Sequence, residues 1–155
     1  MPGDKRLNIL YLENHAVFAA QVTQQFLSLH EVLVVASLSA AREAWKPEVF
    51  DLMLADYDLD DGKGVEFVRE VRARNATTPI IGVSSHDAGN EALLNAGASA
   101  ICSKMDFDNI CSVIERLIPG VLQPEKRDAI APAEAQLQRN IGGVRLRLVT
   151  GDIAD

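Results

Sequence analysis

Four positions in this chain place a reactive side chain directly after a short apolar run. Glu13-Asn14 follow LNILYL, Asp56 follows DLMLA, Ser84 follows PIIGV, and Lys104 follows AICS. Asp56 also opens an acidic cluster, with Asp58, Asp60 and Asp61 before Gly62. If the runs are parallel strands of one sheet, their C-terminal ends share an edge, and two carboxylates, an amide, a hydroxyl and an ammonium meet in one crevice. Close carboxylates repel and are costly to desolvate unless paired. A hard divalent cation such as Mg²⁺ relieves that, since it takes carboxylate and water oxygens. Lys104 adds a second positive charge, so the set suits a dianionic phosphoryl group. Asp56 is the candidate nucleophile, because ionised carboxylates form acyl phosphates. Mg²⁺ and Lys104 would neutralise charge on the transferring group, and Ser84 would donate a hydrogen bond once it is in place. Alone, the acidic stretch reads equally well as a solvated turn; the other three positions weigh against that.

The elements that must position these groups follow from periodicity. LNILYL is nearly continuous in apolar residues, as a strand buried on both faces is. Asn14 is the expected N-cap of the next helix, in which Phe18, Val22, Phe26 and Leu29 recur at helical spacing over about four turns. Residues 32–36 are a second, β-branched run. Residues 37–46 read as a helix, with Ser39 as the expected cap and Pro47 marking its end. After the third strand, Asp58, Asp60 and Asp61 are expected on a loop. A helix over 64–75 then turns Val65, Val68 and Val71 inward. Residues 79–83 form a fourth strand, 87–96 a shorter helix stopped by Gly97, and 100–103 a short fifth strand. Phe107, Ile110, Cys111, Ile114, Leu117 and Ile118 make a final helical stripe. This alternation predicts an α/β fold, a five-stranded parallel sheet with helices on both faces joined by right-handed crossovers. It occupies residues 1–122.

Residues 123–155 are read as a C-terminal extension. Residues 132–140 suit a helix, and Val144 to Val149 alternate apolar and basic like a half-exposed strand. That strand is expected to add to a sheet edge, in its own chain or a neighbour's, making a homodimer. The extension holds as many acidic as basic residues, so the net charge of −7 belongs to the α/β part. That charge and the lack of a basic stripe argue against nucleic acid and anionic membrane as partners. No apolar run approaches the ~18 residues of a membrane span, and the polar start lacks a signal-peptide apolar region. Cys102 and Cys111 fit no metal spacing and are expected as reduced, partly buried thiols of a cytoplasmic protein.

The stretches ILYLEN, DLMLADYDLDDGKG, PIIGVSS and GASAICSK, in this order at strand ends, resemble the receiver domain of two-component response regulators. The resemblance runs from about Leu7 to Leu117. It implies a doubly wound, flavodoxin-like sheet of strand order 2-1-3-4-5. It implies that Asp56 accepts a phosphoryl group from a sensor histidine kinase or phosphotransfer protein, and that Lys104 and Ser84 read the phosphorylated state. It implies Mg²⁺ held by Asp56, Glu13, Asn14 and the backbone carbonyl of Asp58. The face built from the fourth helix, fifth strand and fifth helix would then bind a downstream protein, with no catalysis beyond the domain's own phosphorylation and dephosphorylation. The stretch after Gly120 is too short for an output domain, so protein binding is the expected output.

Departures from the family pattern define the competing readings. Asn14 stands where a second acid is usual, Met105 where proline is usual after the lysine, and Ile101 at the aromatic switch position. These favour a pseudo-receiver, an interaction module that takes no phosphate. Asp56-Tyr57-Asp58 also resembles the DxD motif of haloacid-dehalogenase phosphatases, although there the motif ends the first strand and a cap domain accompanies it.

Overall fold

A computed structural model describes residues 3–74 and 77–124. The chain divides into two compact units, Met1–Gln123 and Pro124–Asp155. The expected helix over 132–140 and strand over 144–149 lie outside the described residues.

The first unit runs β1 (Asn8–Leu12), α1 (Ala16–Phe26), β2 (Glu31–Val35), α2 (Leu38–Ala44), β3 (Leu52–Ala55), β4 (Asp58–Leu59), β5 (Gly62–Lys63), α3 (Gly64–Arg74), β6 (Ile80–Gly82), α4 (Asp87–Ala96), β7 (Ala100–Ile101), a 3-10 helix over Lys104–Asn109 and α5 (Ile110–Leu117). The main sheet has five parallel strands in the order β2-β1-β3-β6-β7. With the two-stranded β4-β5 hairpin set aside, this is the expected 2-1-3-4-5 order.

Side chains alternate across the strands and so build two cores. Ile9, Tyr11, Leu52, Leu54, Ile81 and Val83 pack beneath α1 and α5. Leu10, Leu12, Met53, Ala55 and Ile80 pack beneath α2, α3 and α4. β3 is buried on both faces, every residue at 0% exposure, which is why its sequence is unbroken apolar. β2, by contrast, is an edge strand, and Leu33 and Val34 remain exposed.

Several local expectations change. His15, not Asn14, caps α1; its Nδ1 accepts from the Phe18 N–H at 3.2 Å. That helix is 11 residues long, about three turns, and ends before Leu29. Ser37, not Ser39, caps α2, accepting from the Ala40 N–H at 3.0 Å. The acidic loop contains the β4-β5 hairpin, in which Asp58 pairs with Lys63. The fifth sheet strand covers only Ala100–Ile101. Phe107 sits on the 3-10 helix before α5 begins, directly after the non-helical backbone at Asp106. Its ring lies 5.7 Å from that of Phe18 and 5.9 Å from that of Phe26, so burial among aromatics rather than helical phase places it.

Candidate functional site

The sheet register assembles the site. Leu12 pairs with Ala55, Ala55 with Gly82, and Gly82 with Ile101. The ladder continues beyond these pairs, with the Glu13 N–H donating to Val35 O at 2.9 Å and the Asp56 N–H to Leu12 O at 3.0 Å. Glu13 and Asp56 therefore leave adjacent strands at the same level. On the far side the Lys104 N–H donates to Ser84 O at 3.1 Å, which ties the ends of the last two strands together. Gly64 lets the acidic hairpin close over this edge: a Cβ there would lie 1.9 Å from the Asp56 carbonyl oxygen.

Lys104 Nζ stands at the centre. It lies 3.0 Å from Asp56 Oδ2 and 2.9 and 3.0 Å from the two Glu13 oxygens. Its lower side is the Phe18 ring, 5.1 Å from Nζ to the centroid. Asp56 Oδ1 accepts from the Tyr57 N–H at 2.7 Å, and Glu13 Oε2 from the His15 N–H at 3.0 Å. Glu13 and Asp56 are buried, at 1% and 5% exposure. Burial pushes the Glu13 carboxyl above the ordinary range and the Asp56 charge adds to this, against the pull of Lys104. Burial also works against the Lys104 charge, but its hydrogen bonds to the two acids outweigh it and hold the ammonium above the usual lysine value. The cluster is thus two acids held by one cation.

The acidic residues after Asp56 are engaged elsewhere. Asp58 forms an exposed ion pair with Lys63. Asp60 Oδ1 accepts from the Asn14 amide at 3.3 Å. Asp61 accepts from the N–H groups of Leu38 and Ser39, at 2.5 and 3.1 Å, and so holds the start of α2. The structure brings Glu13, Asp56 and Lys104 together with Ser84 beside them, and turns the side chains of Asn14 and Asp58 to other partners. Ser84 is 2% exposed, and its Oγ accepts from the His86 N–H at 3.1 Å.

Among the described residues, no three His, Cys, Asp or Glu side chains converge as metal ligands. What does converge is the Glu13–Asp56 pair, all oxygen, with Lys104 Nζ within 3.0 Å of both side chains. Two carboxylates completed by water are within what Mg²⁺ accepts, so the pair fits that ion.

Two buried polar groups here escaped the sequence reading. Tyr11 is fully buried under the pocket, with its hydroxyl beside Glu13. Burial raises its pKa, and the charges of Glu13 and Asp56 add to this. Asn90, 2% exposed in α4, hydrogen-bonds the backbone of Ser84. A signal for the second was present: Asn90 stands one helical turn before the core residue Leu93, an inward position for a polar side chain.

The sequence profile of the response regulator receiver domain matches residues 9–115. The chain belongs to the response-regulator receiver family. This receiver is 27% identical over 92 residues to the transcriptional regulatory protein ZraR of Escherichia coli K12, a match that spans 57% of the chain and 21% of ZraR. Its fold is similar to the non-phosphorylated HemR receiver domain of Leptospira biflexa (TM-score 0.65, 20% identity, 78% of this chain and 99% of that one). It is also similar to the response regulator TrrA of Thermotoga maritima in complex with Mg²⁺ and BeF (TM-score 0.65, 18% identity, 72% and 98%). A third likeness is to DrrB of Thermotoga maritima, an OmpR/PhoB homologue (TM-score 0.64, 16% identity, 74% and 53%). Among the described residues no helix is long and apolar enough to cross a membrane. Cys102 is buried and Cys111 half-buried, with its thiol donating to the Phe26 carbonyl at 3.6 Å, and burial pushes Cys102 up to about 11.

Proposed function

We propose that this receiver is a phosphoacceptor switch in which Asp56 takes a phosphoryl group from a histidine kinase or phosphotransfer protein. The observation that carries the reading is Lys104 Nζ, 3.0 Å from Asp56 Oδ2 and held there by buried Glu13. A carboxylate oxygen of Asp56 attacks phosphorus, the bond from phosphorus to the donor's imidazole nitrogen breaks, and an aspartyl acyl phosphate forms. The leaving imidazole nitrogen keeps the electron pair of the broken bond and takes a proton from solvent, so the donor histidine leaves neutral. Lys104 balances charge on the phosphoryl oxygens as it transfers from carboxylate to phosphoryl, and Ser84 donates a hydrogen bond to one of them. Glu13, Asp56 and the Asp58 backbone carbonyl, with Asn14 beside them, would hold Mg²⁺, which would supply further charge neutralisation.

The unit at residues 1–122 is proposed as the switch, a signalling module rather than a turnover enzyme, working in the cytoplasm. Its output is a protein partner on the face of α4, β7 and α5. The acidic charge supports a protein partner for this unit, although the relative ZraR is a transcriptional regulatory protein. Acetyl phosphate or a phosphorylated kinase with Mg²⁺ should add one phosphoryl group, seen by intact mass and lost in Asp56→Asn. Label retained by Asp56→Asn would sink the assignment.

One observation favours a second reading. The Asn14 amide faces Asp60, so the acid-replacing residue serves the hairpin, as a pseudo-receiver would allow. Failure to bind beryllofluoride at millimolar Mg²⁺ would select that reading. The DxD phosphatase reading has least support, because the Asp58 carboxylate is drawn to Lys63.

A further inference from the structure

Ser84 is joined to α4 by both halves of its peptide backbone. Its N–H donates to Asn90 Oδ1 at 2.9 Å, and its carbonyl accepts from Asn90 Nδ2 at 3.1 Å. The same carbonyl accepts from the Lys104 N–H at 3.1 Å. One amide side chain in the first turn of α4 thus satisfies a buried stretch of backbone at the end of β6, and that stretch in turn holds the backbone of Lys104. The helix also sits unusually close. A Cβ on Gly89 would lie 2.5 Å from Ser84 Oγ and 3.1 Å from the Cβ of Tyr57, the residue after Asp56. At the position that the family gives to an aromatic relay stands Ile101, with no ring to turn and 38% exposed.

We propose that Asn90 is a positioning residue that couples Ser84 to α4, so that occupancy of Asp56 reaches the partner-binding face through the first turn of that helix. This rests on the phosphoacceptor reading. When Ser84 moves toward a phosphoryl group, its two hydrogen bonds to Asn90 either break or carry the helix with them. Breaking them strands a buried amide and a buried peptide, so the helix follows.

The test uses the full chain with Mg²⁺ and beryllofluoride as the probe. Bound fluoride is read by ¹⁹F NMR, and the helix by amide hydrogen exchange over residues 87–96. In the wild type, fluoride binds and exchange over α4 changes severalfold. In Asn90→Ala, fluoride still binds but the α4 response is lost, while Ser84 and Lys104 still respond. Asn90→Asp, which keeps the acceptor for the Ser84 N–H and removes the donor to its carbonyl, restores part of the response. It also serves as the readout if Asn90→Ala does not fold. Gly89→Ala, which pushes on Ser84 Oγ and leaves Asn90 in place, lowers fluoride affinity severalfold yet keeps the α4 response at saturation. A full α4 response in Asn90→Ala overturns the coupling. So does a wild type that binds fluoride with α4 unchanged, an outcome that leaves the phosphoacceptor reading standing. A wild type that binds no fluoride removes both.

Discussion

Lys104 decides what the two buried acids can do. Breaking a buried ion pair from one side leaves uncompensated charge, at a cost of about 3 kcal/mol. Lys104→Met, measured by urea denaturation without divalent ions, should lose roughly that much at pH 8. The deficit should shrink toward pH 5. Burial raises the Glu13 pKa in the fold, so the folded chain keeps a proton that the unfolded chain has released, and stability falls as pH climbs from the ordinary carboxylate value through the raised one. Removing Lys104 removes the group that opposes this rise and so widens the window. An equal deficit at both pH values would refute the arrangement. Of the four acidic residues from Asp56 to Asp61, residue type alone could not say which one faces the pocket. Their hydrogen-bond partners decide it: Lys63 takes Asp58, the α2 backbone takes Asp61, and Asn14 takes Asp60.

Caps and aromatic contacts fix the elements around the site. Ser37→Ala should cost about 1 kcal/mol, the usual price of an N-cap, whereas exposed Ser39→Ala should stay within about 0.5 kcal/mol. Equal urea midpoints for the two variants would argue against Ser37 as the cap. Phe107 is 4% exposed and touches the rings of Tyr11, Phe18 and Phe26, so it binds the segment carrying Lys104 to α1 and β1. Phe107→Ala should lose about 3–5 kcal/mol, as large-to-small changes at core aromatics do; a loss below 1 kcal/mol in the same titration would contradict its place there. Periodicity identified the five α-helices and the five strands of the main sheet, but not the 3-10 helix over Lys104–Asn109. It misplaced ends and caps, because those depend on which backbone N–H groups a distant side chain can reach.

At the scale of the molecule, the two ends of the described unit are fastened together. Lys5 pairs with Val121, and the Leu122 N–H donates to Lys5 O at 2.8 Å. Buried His30 joins this seam, with its Nδ1 accepting from the Leu7 N–H at 3.0 Å and a further hydrogen bond to the Leu122 backbone. Burial lowers the His30 pKa; the Leu122 contact opposes that shift and Arg6 reinforces it. The unfolded chain therefore binds a proton first. This contribution is complete above the ordinary histidine value near 6.5 and is lost as pH falls through the lowered one. In His30→Asn, which keeps an acceptor for the Leu7 N–H, the drop in Tm between pH 7.5 and pH 5 should be smaller than in the wild type. The Glu13 contribution is common to both proteins and cancels. Parallel Tm profiles would exclude His30 as the titrating latch.

By itself the sequence determined the parallel α/β fold, the sheet order through its resemblance, and the four strand ends that carry Glu13, Asp56, Ser84 and Lys104. These are properties of local pattern, apolar runs of strand length followed by polar residues. Only the tertiary structure decided that Lys104 bridges Glu13 and Asp56, that Asn14 turns to Asp60, and that Asn90 holds Ser84. Each of those contacts joins residues from different elements, and the partner of a buried polar group is set by packing rather than by its own neighbours in the chain.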